Sequence, residues 1–269
     1  MTDPAARPLR NRSAVPPVLA AAMLLASAGS AQDLSFHAGI EIPAERLGAT
    51  FEKSVDNTDP ATLVPEPRRG KVLRDEDSAA VTASGFGLFG GCRLALGGGA
   101  AYVGAEVDVG FLGGAVDSRL EGVGESPGRN QLGESWPDPW SLEPGRSYGL
   151  TLELGGPRGL YALGGLRRME ARYETRFHGC MDPGPCSPEA DTPDFVSGTD
   201  GRDLDLEGWT AGLGWEKRLQ ERISLRLETR YTRYGDQEWT TLFEEVGVTV
   251  PAVLVIGAIG LSGSLAWQF

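Results

Sequence analysis

The sequence predicts an all-β fold, an eight-stranded antiparallel up-and-down transmembrane β-barrel with four long extracellular loops. Eight stretches carry apolar residues at every second position, the pattern of strands with one apolar and one polar face. The connections between them alternate between short and long, as in outer-membrane barrels. The first residues resemble an export signal. A length of 269 residues is compatible with one such domain.

The N-terminal segment, residues 1–31, is predicted to be a cleavable signal peptide, followed by a barrel domain over 32–269. Three arginines precede an apolar stretch over 15–28, and the small residues at 26–31 offer a cleavage site. The stretch is shorter than the roughly 18–20 apolar residues that a spanning helix needs. A signal anchor that stays attached is the less favoured alternative.

The chain is acidic, with a formal net charge of −12 at pH 7. Removal of residues 1–31 takes away three arginines and Asp3, a net +2, so the charge moves from −12 to −14. Nucleic-acid binding rests on basic patches, so the sequence argues against a nucleic-acid partner.

The predicted strands are each long enough to cross a membrane at barrel tilt, which takes about 9–11 residues. They run over 34–48, 79–96, 100–116, 146–156, 158–176, 205–218, 221–235 and 252–269. The first alternates Ile40 with Glu41, the third Val107 with Asp108, and the second is a glycine-rich run with a weaker pattern.

The seventh predicted strand has the sharpest pattern, because Leu225 and Leu227 alternate with Arg226, Glu228 and Arg230. Three charges on one face cannot point into hydrocarbon, but they can point into a barrel lumen. The eighth strand is apolar on one face and small or polar on the other. The fourth and sixth strands repeat the pattern with Glu153 and Glu216.

The fifth predicted strand is less regular. Its parity places Tyr161, Leu163, Met169 and Tyr173 on the lipid face and the charged residues from 168 to 174 on the lumen face. Because this parity leaves Arg167 facing lipid, the sequence predicts a bulge or register change near Gly164 and Gly165.

The connections predict which end of the barrel lies outside. Tight turns fit at 97–99, 156–157 and 219–220, whereas the other four connections are long and polar. This asymmetry places both termini in the periplasm. A soluble β-sandwich or lipocalin-like barrel would reverse the alternation and stays an alternative. The paired charges of the polar face, and Trp and Tyr near strand ends, favour the membrane barrel.

The charges on the predicted lumen faces are expected to pair, because isolated buried charges are costly and an eight-stranded barrel is narrow enough for side chains to fill it. A conducting pore is the alternative. The predicted set is Glu41, Glu45, Arg93, Glu106, Asp108, Glu153, Arg168, Glu170, Arg172, Glu174, Glu216, Arg226, Glu228 and Arg230.

Two cysteines flank a Met-Asp-Pro-Gly-Pro segment. In an oxidising compartment, Cys180 and Cys186 are expected to form a local disulfide, with Cys92 unpaired in the membrane. A metal site that adds His178 is an alternative with unusual spacing. The acidic run 200–205 lacks the spacing of a calcium loop, so no metal or cofactor is expected.

The hairpin of predicted strands six and seven carries a family resemblance. Residues 208–216, Gly-Trp-Thr-Ala-Gly-Leu-Gly-Trp-Glu, lead to 223–235 with its Ser-Leu-Arg-x-Glu-x-Arg-Tyr core, and together they resemble the opacity-type porin family of small outer-membrane barrels. Residues 101–106 and 159–165 are similar more loosely. Trp267 and Phe269 resemble the terminal aromatic signal that the outer-membrane assembly machinery recognises. The resemblance implies a cell-surface role such as adhesion, envelope integrity or host contact, and no shared reaction. A transmembrane barrel is also expected to contact outer-membrane lipids.

The sequence therefore predicts a non-enzymatic outer-membrane barrel with a largely plugged lumen. It would act as a structural or adhesin-like surface-interaction protein, with loops that contact an unknown extracellular ligand. Two alternatives stay open. One is a narrow porin for small solutes. The other is a lipid-modifying enzyme with His37 or His178 as general base, although no His-x-Ser pattern is present.

Overall fold

The computed structural model describes residues 34–62, 69–96, 101–121, 137–180, 195–243 and 247–269. Its strands are β1 (Leu34–Asp56), β2 (Val72–Leu96), β3 (Ala101–Gly113), β4 (Val116–Leu120), β5 (Asp138–Gly155), β6 (Leu160–Cys180), β7 (Phe195–Arg218), β8 (Ile223–Tyr234), β9 (Gln237–Phe243) and β10 (Val248–Gln268). A short 3-10 turn, Pro157–Gly159, joins β5 to β6. None of the described residues form a helix long and apolar enough to cross a membrane.

The strands close into a ring. Neighbouring strands pair in the order β1, β2, β3, β5, β6, β7, β8 and β10, and β10 pairs back with β1. The two remaining strands extend members of this ring, since β4 continues β3 along β5 and β9 continues β8 along β10. All pairs are antiparallel, so the prediction of an eight-stranded up-and-down barrel is confirmed.

One irregularity lies elsewhere than the sequence suggested. β6 pairs with β7 without interruption from Leu160 to Cys180, so the predicted bulge near Gly164 and Gly165 is wrong. The register instead shifts between Pro144 and Ser147, in β5. Proline lacks the N–H that a ladder needs, which makes Pro144 a natural place for a break.

Outward-facing side chains change character along the strands. They are apolar in a belt near the termini. Aromatic residues mark the edge of that belt that lies farther from the termini: Phe86, Phe111, Tyr148, Trp209 and Tyr231. The barrel segment inside this apolar belt is named the belt half. It comprises residues 34–45, 85–96, 101–112, 147–155, 160–167, 208–216, 223–232 and 258–269.

The strands continue past the belt on the side of the long connections. This segment is named the hairpin half and comprises residues 46–56, 72–84, 116–120, 138–146, 168–180, 195–207, 233–234, 237–243 and 248–257. The sequence predicted much of it as loop, ending the first strand at 48 and starting the second at 79. The strands run further because beyond the belt their inward residues become mostly apolar while the outward ones become charged, which reverses the pattern used for the prediction.

The hairpin half is built from two facing sheets, since within the described residues no backbone pairing joins β2 to β4 or β7 to β9 there. Phe51 of β1 lies at the centre of the core between the sheets. Its ring centroid is 5.8 Å from that of Trp140, 5.3 Å from that of Tyr173 and 6.1 Å from that of Trp239. Such aromatic pairs add about 0.5–1.5 kcal/mol each beyond the area they bury.

The rest of this core is mostly aliphatic, and its members are fully or nearly fully buried. It includes Leu47, Val116, Leu120, Leu142, Met169, Leu206, Leu254 and Ile256, and Leu112 of the belt half belongs to the same cluster. At the outer end, the Lys53 ammonium group lies 2.5 Å from a carboxylate oxygen of Asp138, which links the two sheets. The interior of the hairpin half therefore resembles that of a soluble protein.

Candidate functional site: the interior of the belt half

The inward face of β8 supplies the centre of the site. Arg226, Glu228 and Arg230 are buried, while Leu225 and Leu227 face the belt surface. Glycines on other strands make room for the carboxylates, because a Cβ on Gly149 would lie 1.9 Å from an Asp108 carboxylate oxygen. The interior is therefore shaped around charged side chains.

Arg226 is the hub, and it is only 1% exposed. Its guanidinium group lies 2.5 Å from a carboxylate oxygen of Glu106, 2.5 Å from one of Glu153 and 2.6 Å from one of Glu228. Its Nε donates to the Tyr161 hydroxyl at 3.0 Å, and that hydroxyl donates to Glu228 at 2.5 Å. Three of the four partners lie on other strands: Glu106 on β3, Glu153 on β5 and Tyr161 on β6. Arg226 therefore joins distant parts of the ring.

Glu106, Glu153 and Glu228 are also the group of described residues best placed to hold a metal ion, since one oxygen of each lies within 4.8 Å of the others. The Arg226 guanidinium already occupies the place that a cation would take and bonds all three. The charge of the cluster is thus balanced by the protein itself.

The network continues through Arg93 towards the end of the barrel that carries both termini. Its guanidinium group contacts Glu153 at 3.0 Å and Glu216 at 2.5 Å. The Arg93 Cζ atom also lies 4.5 Å from the ring centroid of Tyr102, a cation–π contact. His37 reaches the same cluster from β1, with its Nε2 3.1 Å from a Glu106 oxygen.

Towards the hairpin half, two further arginines complete the network. Arg230 pairs with Glu228 at 2.6 Å and approaches Asp108 at 3.8 Å. Arg167 lies 3.3 Å from Asp108 and 3.6 Å from Glu45. A cavity of about 10 Å³ remains beside Arg167 and Arg230, which is space for about one water molecule.

The structure brings together most, but not all, of the predicted interior set. Ten predicted residues lie in the interior of the belt half: Glu41, Glu45, Arg93, Glu106, Asp108, Glu153, Glu216, Arg226, Glu228 and Arg230. The other four, Arg168, Glu170, Arg172 and Glu174, face outwards on β6, so their prediction as lumen residues is wrong. They belong to the hairpin half, where charged side chains can face water.

The reversed parity of β6 also corrects its apolar residues. Tyr161, Leu163, Met169 and Tyr173 face inwards and are buried, not towards lipid as predicted. Arg167, which the predicted parity left in lipid, is the buried residue that joins Asp108 and Glu45. The conflict at Arg167 was the sequence signal for the correct orientation of the side chains of β6. If Arg167 faces inwards, every second residue on either side of it faces inwards as well.

Outside, Arg168 forms a two-pronged ion pair with Asp205 of β7, and their side chains are 53% and 50% exposed. The hydrogen bond to Asp205 raises the pKa of Arg168 above its ordinary value. Because water screens both groups, such a pair stabilises a protein by about 0–1 kcal/mol.

Several sequence predictions fall on other parts of the chain. Residues 1–31 and Cys186 lie outside the described residues, as do the side chains of His178 and Cys180, so the signal peptide and the disulfide stay predictions. Cys92 has a free thiol. Trp267 and Phe269 face outwards at the end of the closing strand, and their role as an assembly signal stays a prediction.

The family model of the outer membrane protein beta-barrel domain matches residues 18–250, so the chain belongs to that family. It is therefore an outer-membrane β-barrel protein. A comparison with curated proteins gives no match.

The solved structures that match the chain share little sequence with it. The outer membrane protease OmpT from Escherichia coli is 8% identical, with a TM-score of 0.39 over 87% of this chain and 97% of that one. OprG from Pseudomonas aeruginosa is 12% identical, with a TM-score of 0.39 over 86% and 96%. Neisserial surface protein A is 10% identical, with a TM-score of 0.32 over 87% and 97%.

Proposed function

We propose that this protein is a non-conducting barrel that presents its hairpin half at the cell surface to an external ligand, as an adhesin-like protein. The filled interior is the observation that carries this proposal. A porin needs a continuous water-filled path. Here Arg226 and its three carboxylates lie across the belt half, and the aromatic core around Phe51 lies across the hairpin half.

The projection of the strands supports a surface role. β6 continues for the 13 residues from Arg168 to Cys180 past the belt, which at about 3.3 Å per residue is a path of roughly 40 Å. A barrel that only strengthened the membrane could turn back directly above the belt. The resemblance to the opacity-type porins supports the same role, and we propose that the chain lies close to that branch of the family.

Two measurements test the proposal. In planar lipid bilayers, the purified protein should give no single-channel steps, because buried side chains fill the described interior of both halves. Steady, reproducible steps would make it a porin instead.

The surface role is tested on cells. Bacteria that express the protein should be retained on at least one of a panel of immobilised matrix proteins and glycosaminoglycans, compared with the same host carrying an empty vector. A matched variant that replaces Asp203, Asp205 and Glu207 by amides changes the outward charges of β7 without altering its inward face. Retention no better than the empty-vector host on every surface would refute the adhesin-like role.

A further inference from the structure

Arginine is concentrated at one level of the outer surface. On four of the eight strands of the ring, the first outward side chain beyond the belt is an arginine: Arg46, Arg146, Arg168 and Arg233. Glu207 is the acidic residue at this level. In a chain with a net charge of −12, this is a local reversal of sign.

Arg46 and Arg233 lie on either side of β10. Gly257 of β10 pairs with Gly48 on one side and with Arg233 on the other, and Arg46 pairs with Ile259. Two strand spacings, about 10 Å, therefore separate the strands that carry the arginines, and two long side chains can span that distance.

The two arginines differ in what they already bind. Arg233 donates to Asp236 at 2.7 Å and to the Ile256 carbonyl oxygen at 3.4 Å, so it leans towards β10. Arg46 is exposed, and among the described residues it makes no ion pair. A site between them has one arginine held in place and one available.

Glycines form the floor between these arginines. A Cβ on Gly48 would have its nearest neighbour at 3.9 Å and one on Gly257 at 3.5 Å, which are ordinary contacts. The packing of the barrel therefore does not require glycine at either position. Their lack of side chains leaves a shallow cleft on the outer surface, and the exposed side chain of Ile259 lies below it.

We propose that Arg46 and Arg233 bind phosphate groups on the headgroups of lipids in the surrounding leaflet. Guanidinium groups match phosphate with two parallel hydrogen bonds. The cleft lies directly above the apolar belt, where headgroups meet the protein, and Ile259 can contact the acyl chains of the same lipid. Free phosphate shares the headgroup chemistry but not this apolar contact.

The test uses the full-length protein in phosphatidylcholine nanodiscs that contain a minor share of bis-phosphorylated lipid A or of its dephosphorylated form. Native mass spectrometry measures how much lipid A stays bound. The wild type should retain the phosphorylated form selectively. Arg46→Gln should lower that retention about fivefold, the effect of one arginine near a charged headgroup.

Arg46→Gln is the primary variant, because Arg233 also bonds to its own chain and Arg233→Gln could disturb the fold. Arg176→Gln is the matched control: it removes an exposed arginine on the outer face of β6, further from the belt, and should retain lipid like the wild type. A heat-dependent gel shift confirms that each variant is folded.

Three results would overturn the proposal. One is equal retention by Arg46→Gln and Arg176→Gln. Another is equal retention of phosphorylated and dephosphorylated lipid A by the wild type. The third is complete displacement of lipid A by excess inorganic phosphate, which would assign the cleft to a soluble anion.

Discussion

The belt half and the hairpin half use the same strands with opposite polarity. In the belt half, Arg226 faces inwards and Leu225 outwards. In the hairpin half, Tyr173 faces inwards and Arg172 outwards. The medium outside the barrel sets this difference, because hydrocarbon excludes charges and water does not. Both interiors are filled, the one by paired charges and the other by apolar side chains.

The apolar filling of the hairpin half shows that the belt half could have been filled in the same way. Buried ion networks stabilise proteins no better than well-packed apolar cores of the same shape. A belt strand with two apolar faces, however, would expose a long hydrophobic edge before assembly and invite aggregation. The charges of the belt interior keep one face of each strand polar until the barrel closes.

The largest expected effect comes from the hub of the belt half. Arg226→Ala leaves Glu106, Glu153 and Glu228 without their shared partner, so the free energy of unfolding should fall by about 3–5 kcal/mol. Urea titrations in lipid vesicles, followed by tryptophan fluorescence, measure this change. Arg176→Ala removes an exposed arginine and should change the free energy by less than about 0.5 kcal/mol. Equal effects would mean that the interior network is solvated.

A smaller effect is expected from two leucines of β10 that lie in different halves. Leu254 is fully buried in the hairpin half, so Leu254→Ala should leave a cavity and lower the free energy of unfolding by about 3 kcal/mol. Leu261 is 62% exposed on the belt surface, where lipid chains can fill the space. Leu261→Ala should cost about 1 kcal/mol. A larger loss for Leu261→Ala would break the assignment of the two halves.

Except on β6, the alternation in the belt half could be predicted from the sequence, because the sequence rule for membrane barrels assumes hydrocarbon outside. That rule orients Leu225, Arg226 and Leu227 as the structure does. Applied beyond the belt, the same rule failed: it placed Arg168 and Arg172 in the lumen although water surrounds that part of β6. The position at which a strand leaves the belt depends on the height of its residues in the barrel, and the alternation pattern of the strand does not give that height.

The partners in the interior could not be predicted either. Arg226 and Glu153 are 73 positions apart and lie on strands that are not neighbours, so their contact depends on the stagger of the whole ring. Missing Tyr161 as a bridging residue had the same cause as the error for Arg168, because both followed from the reversed parity of one strand.

The smallest expected effect concerns Asp56, the last residue of β1. The Thr58 hydroxyl and backbone N–H both donate to Asp56, at 2.7 Å and 2.9 Å, and they lower the pKa of Asp56 below its ordinary 3.8. A lowered folded pKa means that these bonds stabilise the hairpin above about pH 3.8 and are lost as the pH falls through the folded value.

Nuclear magnetic resonance can follow that titration. The Thr58 amide resonance should shift with a midpoint below pH 3.8, and Thr58→Ala, which removes the hydroxyl bond only, should move the midpoint upwards. Identical midpoints in both proteins would show that the hydroxyl does not contribute.

The reversal of polarity is tested most directly at the boundary between the halves, by the neighbouring residues Arg167 and Arg168. Arg167 is buried among Asp108 and Glu45, whereas Arg168 is exposed beside Asp205. In urea titrations in lipid vesicles, Arg167→Ala should lower the free energy of unfolding by about 3 kcal/mol. Arg168→Ala should lower it by less than about 1 kcal/mol. Equal losses, or a larger loss for Arg168→Ala, would contradict the account.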